Sequence, residues 1–205
     1  MGNRAVFLDK DGTLVENLPY NVNPDRIRLA PKAGQALRLL HQSGYQLVIV
    51  TNQSGIARGY FKEEALEAVE GRLRDLLRAE GGVPLAGFYY CPHLAEGSVP
   101  RYAIECSCRK PEPGMLLKAA DELDIDLTRS WMVGDILNDV EAGNRAGCST
   151  ILIDNGNETE WELSSYDRQP DFIVTDLLEA ARAILNGKSV RKLSRGKQIE
   201  SVKNG

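Results

Sequence analysis

A short apolar run that ends on two acidic residues is the feature of this sequence that most constrains its fold. Residues 6–8 are Val-Phe-Leu, and the string Asp-Lys-Asp-Gly-Thr follows directly at 9–13. Apolar runs of this length are typical of buried strands in parallel sheets, which carry helices on both faces. Open α/β sheets bind their ligands beyond the carboxyl ends of the strands. The sequence therefore predicts that Asp9 and Asp11 lie at a ligand-binding edge.

The spacing of this acidic pair suits two roles in one reaction. Asp9 and Asp11 are two residues apart, so both side chains lean to one side of an extended chain. One carboxylate can attack a substrate and bind a metal ion while the other moves a proton. Gly12 allows a sharp turn and a close approach to a ligand. For the pair considered alone, a solvated acidic loop remains the alternative.

Helix and strand patterns alternate along the rest of the chain. Helical spacing of apolar residues predicts helices at 31–43, 62–80, 113–123, 138–146 and 177–186. Short apolar runs predict strands at 45–50, 88–90, 131–133, 151–153 and 172–174. This order predicts an α/β fold with a doubly wound, Rossmann-like parallel sheet. We expect residues 1–187 to form one domain and the basic segment 188–205 to be a mobile tail.

Three further polar segments follow predicted strands and indicate a phosphate and metal site. Hydroxyl, amide and backbone N–H groups near a glycine suit a phosphate cradle, and they come from Thr51, Asn52, Gln53 and Ser54. Lys110 offers a point charge for a phosphoryl group, and Arg109 offers a planar fork for a second phosphate or a sugar. Asp135 can complete a hard-cation site with Asp9, supported by Asp139 one turn away.

Taken in order, these segments resemble the four motifs of the haloacid dehalogenase superfamily. The resemblance implies that Asp9 attacks phosphorus and forms an aspartyl-phosphate. Asp11 would protonate the leaving oxygen and later deprotonate the hydrolytic water. Thr51 and Lys110 would hold the phosphoryl oxygens. Mg²⁺ would bind between the Asp9 carboxylate, the Asp11 backbone carbonyl and Asp135.

Many members of this superfamily insert a large cap domain after the first motif or before the third. The segments 13–51 and 51–110 leave room only for single helices, strands and loops. We therefore expect an open site, in which Arg109 and the loop 17–28 read the charges of the substrate.

A cluster of cysteine and histidine residues predicts a structural zinc site. Three of the four cysteines and one of the two histidines fall within residues 91–108, called the zinc loop below: Cys91, His93, Cys106 and Cys108. Four N/S ligands are the set that Zn²⁺ takes in a closed tetrahedral site. Because Arg109 and Lys110 follow the last ligand, the metal is expected to hold the loop that presents them. A chance cluster of thiols is the alternative.

With the zinc loop included, the motifs over residues 5–184 resemble those of the D-glycero-D-manno-heptose 1,7-bisphosphate 7-phosphatase family. The resemblance implies removal of the C7 phosphate in nucleotide-activated heptose synthesis, often for lipopolysaccharide. Histidinol-phosphate phosphatases share the fold, the acids and the zinc loop, and they remain the main alternative. The chain departs from the heptose enzymes at Ile136, where a lysine is common.

Charge and composition argue against other function classes. The net charge of −4 does not supply the basic groove that a polynucleotide 3′-phosphatase needs. A non-catalytic zinc-stabilised binding protein would be expected to lack at least one of Asp9, Asp11, Lys110 and Asp135, and all four are present. No apolar stretch approaches the roughly 20 residues of a membrane span. We expect a cytoplasmic monomer that acts on a small phosphorylated sugar, with neither nucleic acid nor membrane as partner.

Overall fold

The computed structural model describes residues 2–163 and 165–186. Within these residues six parallel strands form one sheet in the order β3-β2-β1-β4-β5-β6. The strands are β1 Ala5–Leu8, β2 Gln46–Asn52, β3 Gly87–Cys91, β4 Trp131–Gly134, β5 Ser149–Ile153 and β6 Phe172–Val174. The first strand of the chain lies in the middle of the sheet, and the predicted doubly wound parallel sheet is confirmed.

The helices lie in two layers, one on each face of the sheet. In the described part of the chain they are α1 Ala33–Gln42, α2 Ala65–Ala79, α3 Gly114–Leu123, α4 Leu137–Ala146 and α5 Leu177–Asn186. Three short 3-10 helices span Pro24–Arg26, Leu127–Arg129 and Tyr166–Arg168. Val6 and Leu8 pack with α1, α2 and α5, whereas Ala5 and Phe7 face α3 and α4. Strand β1 is thus buried on both faces, as its unbroken apolar run predicts.

Helix α2 begins three residues later than its apolar pattern predicts. The segment 62–64 forms tight turns instead, since the N–H of Ala65 donates to the carbonyl of Lys62. The side chain of Glu63 accepts hydrogen bonds from the hydroxyls of Tyr90 and Tyr102. These contacts join the start of this segment to strand β3 and to the zinc loop, and sequence periodicity carries no sign of them.

The carboxyl edge of the sheet carries loops and no large inserted domain within the described residues. The connection between β1 and β2 contains one 3-10 helix and α1, and the connection between β2 and β3 contains α2. The zinc loop lies between β3 and α3. The prediction of a fold without a large cap is therefore confirmed.

Two remaining predictions concern membrane-spanning segments and the C-terminal tail. None of the helices among the described residues is long and apolar enough to cross a membrane. The predicted basic tail 188–205 and the domain boundary at 187 lie outside the described residues.

Candidate active site

Neighbouring strands bring the predicted site residues to one edge. Strand β1 pairs in parallel with β2 on one side and with β4 on the other. The backbone N–H of Asp9 still donates to the carbonyl of Val133, at 3.0 Å, as the chain leaves the sheet. Thr51 and Asp135 stand at the ends of the two flanking strands. The topology thus places three of the predicted motifs side by side.

A buried lysine is the centre of this cluster. The Nζ of Lys110 lies 2.6 Å from Oδ1 of Asp9, 2.6 Å from Oδ1 of Asp139 and 2.9 Å from the carbonyl of Val50. Lys110 is only 2% exposed, and Asp139 is fully buried. Burial alone would lower the pKa of Lys110, but the charges of Asp139 and Asp9 overcome it and raise the pKa above its usual value. The lysine therefore stays cationic.

Three carboxylates at this edge form a group that suits a divalent cation. Oxygens of Asp9, Asp135 and Asp139 all lie within 4.8 Å of one another, and all three residues are buried. Burial raises the pKa of Asp135 to about 6, and the negative charge of Asp9 adds to the shift. A bound cation would lower the pKa of Asp135 again, because its positive charge favours the ionised carboxylates. Hard oxygen donors of this kind match Mg²⁺.

Gly12 packs against this group so closely that no side chain fits there. Its φ of +88° lies in the left-handed region, and a Cβ at this position would overlap Oδ2 of Asp135. The glycine predicted to allow a close approach therefore does so towards a neighbouring carboxylate of the site itself.

Asp11 lies beside the cluster and faces a cavity. Its Oδ1 is 2.5 Å from Nζ of Lys10, and its Oδ2 is 3.5 Å from Nε2 of Gln53. Burial raises the pKa of Asp11, and the charge of Lys10 opposes the shift. The cavity, of about 230 Å³, is lined by Asp11, Asn17, Leu18, Pro19, Tyr20, Asn52, Gln53, Ser54 and Gly55. Only the first part of the predicted substrate loop 17–28 reaches this cavity.

Three residues of the predicted phosphate cradle, Asn52, Gln53 and Ser54, line the cavity, and two of them also bond to other groups of the site. The carboxamide of Asn52 donates to the carbonyl of Lys110 at 3.0 Å and accepts from its N–H at 3.1 Å. Nε2 of Gln53 donates to the hydroxyl of the buried Thr51 at 2.9 Å. Asn52 therefore fixes the backbone that presents the central lysine, a contact that sequence analysis did not predict.

Arg109 is not among the residues that line the cavity that Asp11 faces. Its Nη1 donates to the carbonyl of His93 at 3.2 Å. It lines a neighbouring cavity of about 660 Å³ together with Lys110, Glu96, Ile104 and Asn138. Its guanidinium is thus anchored to the zinc loop, next to the central lysine.

The predicted zinc ligands converge. Sγ of Cys108 lies 3.0 Å from Sγ of Cys91 and 3.3 Å from Sγ of Cys106. Nδ1 of His93 lies 3.4 Å from Sγ of Cys108. The cysteines are free thiols, and these separations are far longer than the roughly 2.05 Å of a disulfide. The four donor atoms all lie within 4.8 Å of one another, and a set of four N/S donors fits Zn²⁺.

Two kinds of site residue were missed by the sequence analysis. Lys10 is 2% exposed and forms an ion pair with Asp11. Its position between two acidic residues in the sequence could have indicated this ion pair. Asn155 and Asn157 follow β5 and bond to Gly12 and Asp135. The predicted topology could have indicated both residues, because β5 is parallel to its neighbour β4 and ends at the same edge.

Known proteins of similar sequence match more than four-fifths of this chain. The D-glycero-β-D-manno-heptose-1,7-bisphosphate 7-phosphatase of Haemophilus ducreyi is 41% identical over 180 residues, covering 87% of this chain and 97% of that protein. The enzyme of the same name from Escherichia coli K12 is 42% identical over 178 residues, covering 82% and 93%. The chain belongs to this family of phosphatases. A family model described as HAD-hydrolase-like also matches residues 107–180.

Solved structures place the phosphatase in the same superfamily. An HAD-like phosphatase from Mesorhizobium loti is 37% identical with a TM-score of 0.78, covering 91% of this chain and 87% of the other. A D,D-heptose 1,7-bisphosphate phosphatase from B. bronchiseptica, complexed with magnesium and phosphate, is 30% identical with a TM-score of 0.71, covering 90% and 99%. The resemblance to the haloacid dehalogenase fold drawn from the motifs is therefore confirmed.

Proposed function

We propose that this phosphatase removes the C7 phosphate of D-glycero-D-manno-heptose 1,7-bisphosphate in nucleotide-activated heptose biosynthesis, with Mg²⁺ as cofactor. The observation that carries the proposal is the buried cluster of Asp9, Lys110, Asp135 and Asp139 at the sheet edge. It occurs in a chain 41% identical to a relative that bears the name of this activity.

In the first half of the reaction, an oxygen of Asp9 attacks phosphorus in line with the oxygen on C7. The new bond gives an aspartyl-phosphate, and the bond between phosphorus and the sugar oxygen breaks. Asp11 donates a proton to that oxygen, so heptose 1-phosphate leaves as an alcohol. The burial that raises the pKa of Asp11 favours the protonated form needed for this step.

In the second half, water attacks the phosphorus of the aspartyl-phosphate. Asp11, now ionised, takes a proton from the water, and the bond to the Asp9 oxygen breaks. Inorganic phosphate leaves and both acids return to their starting states. Phosphomonoesters are among the slowest substrates to hydrolyse uncatalysed, so most of the acceleration must come from positioning and charge neutralisation.

Lys110 and Thr51 hold the phosphoryl oxygens in this proposal. The ammonium of Lys110 is kept at its place by Asp139 and by the carbonyl of Val50, each within 3 Å. A charge held in this way needs no reorganisation when the phosphoryl group arrives. Asp139 therefore supports the site through the lysine.

The metal would be held by the carboxylates of Asp9 and Asp135 and by the backbone carbonyl of Asp11. When bound, Mg²⁺ supplies neutralisation of phosphoryl charge and helps to orient that group. We assign Zn²⁺ a structural role at Cys91, His93, Cys106 and Cys108, where four N/S donors leave no position open for a substrate.

The second phosphate of the substrate would be read by Arg109, and the sugar by the residues that line the smaller cavity. Arg109 is adjacent in sequence to Lys110, so both charges belong to one segment. A guanidinium fork matches the geometry of a phosphate.

We further propose that residues 1–187 form one domain and that the protein acts as a cytoplasmic monomer. We propose no nucleic acid partner, and the net charge of −4 supports that part of the proposal.

The experiment that tests this function compares phosphate release from two substrates in the presence of Mg²⁺. We expect kcat/KM for heptose 1,7-bisphosphate, in its better anomer, to exceed that for histidinol phosphate by at least about 100-fold, or about 2.7 kcal/mol. A preference for histidinol phosphate would move the enzyme to histidine synthesis with its mechanism unchanged. Activity on neither compound would overturn the substrate assignment.

Arg109→Ala tests the assignment of the second phosphate. We expect kcat/KM for the bisphosphate to fall by about 10- to 100-fold, since a charge-assisted hydrogen bond is worth roughly 1.5–3 kcal/mol. Hydrolysis of a monophosphate should change little. Arg101→Ala is the matched control, because Arg101 lies in the zinc loop over the ring of Tyr102. Equal losses on both substrates, or in both variants, would contradict the assignment.

A further inference from the structure

The loop that follows strand β5 reaches the metal-binding edge and contacts a proposed ligand. Nδ2 of Asn157 lies 2.6 Å from Oδ2 of Asp135. An ionised carboxylate only accepts hydrogen bonds, so this contact fixes which side of the amide faces Asp135. Oδ1 of Asn157 then faces Nδ2 of Asn17, at 3.4 Å. Asn17 lines the cavity beside Asp11.

Two further hydrogen bonds hold this loop against the first motif. The backbone N–H of Asn157 donates to Oδ1 of Asn155 at 3.1 Å, which closes a tight Asx turn. Nδ2 of Asn155 donates to the carbonyl of Gly12 at 2.7 Å. The side-chain amide of Asn157 is therefore held by Asp135 and Asn17, and its backbone N–H is held by Asn155. Its orientation does not depend on Asp135 alone.

Besides the bond from Asn157, the carboxylate of Asp135 accepts hydrogen bonds from its own backbone N–H and from one other side chain. Its other oxygen accepts from the hydroxyl of Thr13 at 3.3 Å, which is longer than a normal O–H···O hydrogen bond. The close contact with Asn157 is thus the principal restraint on rotation of this carboxylate among the side-chain hydrogen bonds described.

We propose that Asn157 is a positioning residue that aims the Asp135 carboxylate at the divalent cation. The inference rests on the proposed function only in that it requires Mg²⁺ to bind at Asp9 and Asp135. Carboxylates that ligate metals are themselves held by hydrogen bonds, and loss of such a partner typically costs 10- to 100-fold in metal affinity. Asn157 touches neither the substrate nor the reacting atoms in this role.

The test is direct titration of the zinc-loaded full chain with Mg²⁺ by calorimetry, without substrate. For Asn157→Ala we expect the Kd for Mg²⁺ to rise by about 10- to 100-fold. The Mg²⁺ concentration that gives half-maximal activity should rise by a similar factor, while kcat at saturating Mg²⁺ stays within about threefold. Thr159→Ala is the matched control, an exposed residue of the same loop, and it should leave the Kd unchanged.

A second variant keeps the inference testable if the alanine variant does not fold. Asn157→Ser, like the alanine variant, keeps the backbone N–H of the Asx turn, and it keeps a polar side chain as well. Its hydroxyl is too short to reach Asp135, so the Kd should rise as well. An unchanged Kd in a folded variant, with only a lower melting temperature, would mean that Asn157 is merely structural and would overturn the inference. If the unsubstituted chain bound no Mg²⁺, both this inference and the cofactor in the proposed function would fail.

Discussion

Asp9→Asn should abolish steady-state phosphate release, with kcat reduced by at least about 10⁴-fold, within the range seen when a catalytic nucleophile is removed. A carboxamide oxygen is a poor nucleophile and cannot form the aspartyl-phosphate. The substitution keeps the shape of the side chain and an oxygen that can accept from Lys110. Because Lys110 retains its ion pair with the buried Asp139, its charge is not left unpartnered.

The measurement is kcat on the bisphosphate, with melting temperature and zinc content determined on the same sample. The fold should be retained, so both of these should match the unsubstituted chain. Asp154→Asn is the matched control, since Asp154 is an exposed acid that follows β5 at the same edge. Retained steady-state turnover in Asp9→Asn would remove Asp9 as the nucleophile. An equal loss in the control would show that the effect is not specific to Asp9.

The convergence of the motifs was predictable from the sequence because it follows from topology. An apolar run bounded by polar residues identifies each buried strand, and alternation with helices makes the strands parallel. All carboxyl ends then lie at one edge, which is why Asp9, Thr51 and Asp135 could be brought together without coordinates. The spacing of three cysteines and one histidine likewise identified four donors that the fold does bring within reach of one ion.

Contacts between side chains that are far apart in the chain were not predictable. The bond from Asn157 to Asp135 depends on the turn of one loop, and the bonds from Asn52 to the Lys110 backbone depend on another. Asn157 looks in the sequence like an ordinary polar loop residue, and Asn52 was predicted only as part of the phosphate cradle. Periodicity also placed the start of α2 too early, because it does not register the hydroxyls that hold Glu63 in the turn before the helix.

The zinc loop combines a feature that the sequence predicts with contacts that it does not. Its cysteines and histidine were identified from their spacing, whereas the way they position Lys110 depends on contacts between residues far apart in the chain. Cys108 lies two residues before Lys110, and Arg109 between them donates a hydrogen bond to the carbonyl of His93, another proposed zinc ligand. The backbone of the central lysine is therefore positioned from one side by Asn52 and from the other by the proposed zinc ligands. Zinc would thus act on catalysis only through the placement of Lys110 and Arg109.

Cys108→Ala should accordingly remove both zinc and activity. Structural zinc sites contribute about 10–16 kcal/mol of binding free energy, and loss of one of four ligands should reduce bound zinc to less than about one-tenth of an equivalent. With the loop released, Lys110 would no longer be held within 3 Å of Asp9, and we expect kcat/KM to fall by at least about 100-fold.

Zinc content by elemental analysis and kcat/KM on the same preparation check this prediction. Cys148→Ala is the matched control, because Cys148 is a buried free thiol outside the zinc loop, packed with the helices α3 and α4. Its loss should cost some stability through a small cavity and leave zinc content unchanged. Full zinc content with normal activity in Cys108→Ala would show that the cluster is a coincidence of thiols. Loss of zinc with normal activity would instead separate the metal from the placement of Lys110, since the ion pair with Asp139 and the Asn52 amide would then suffice to hold the lysine.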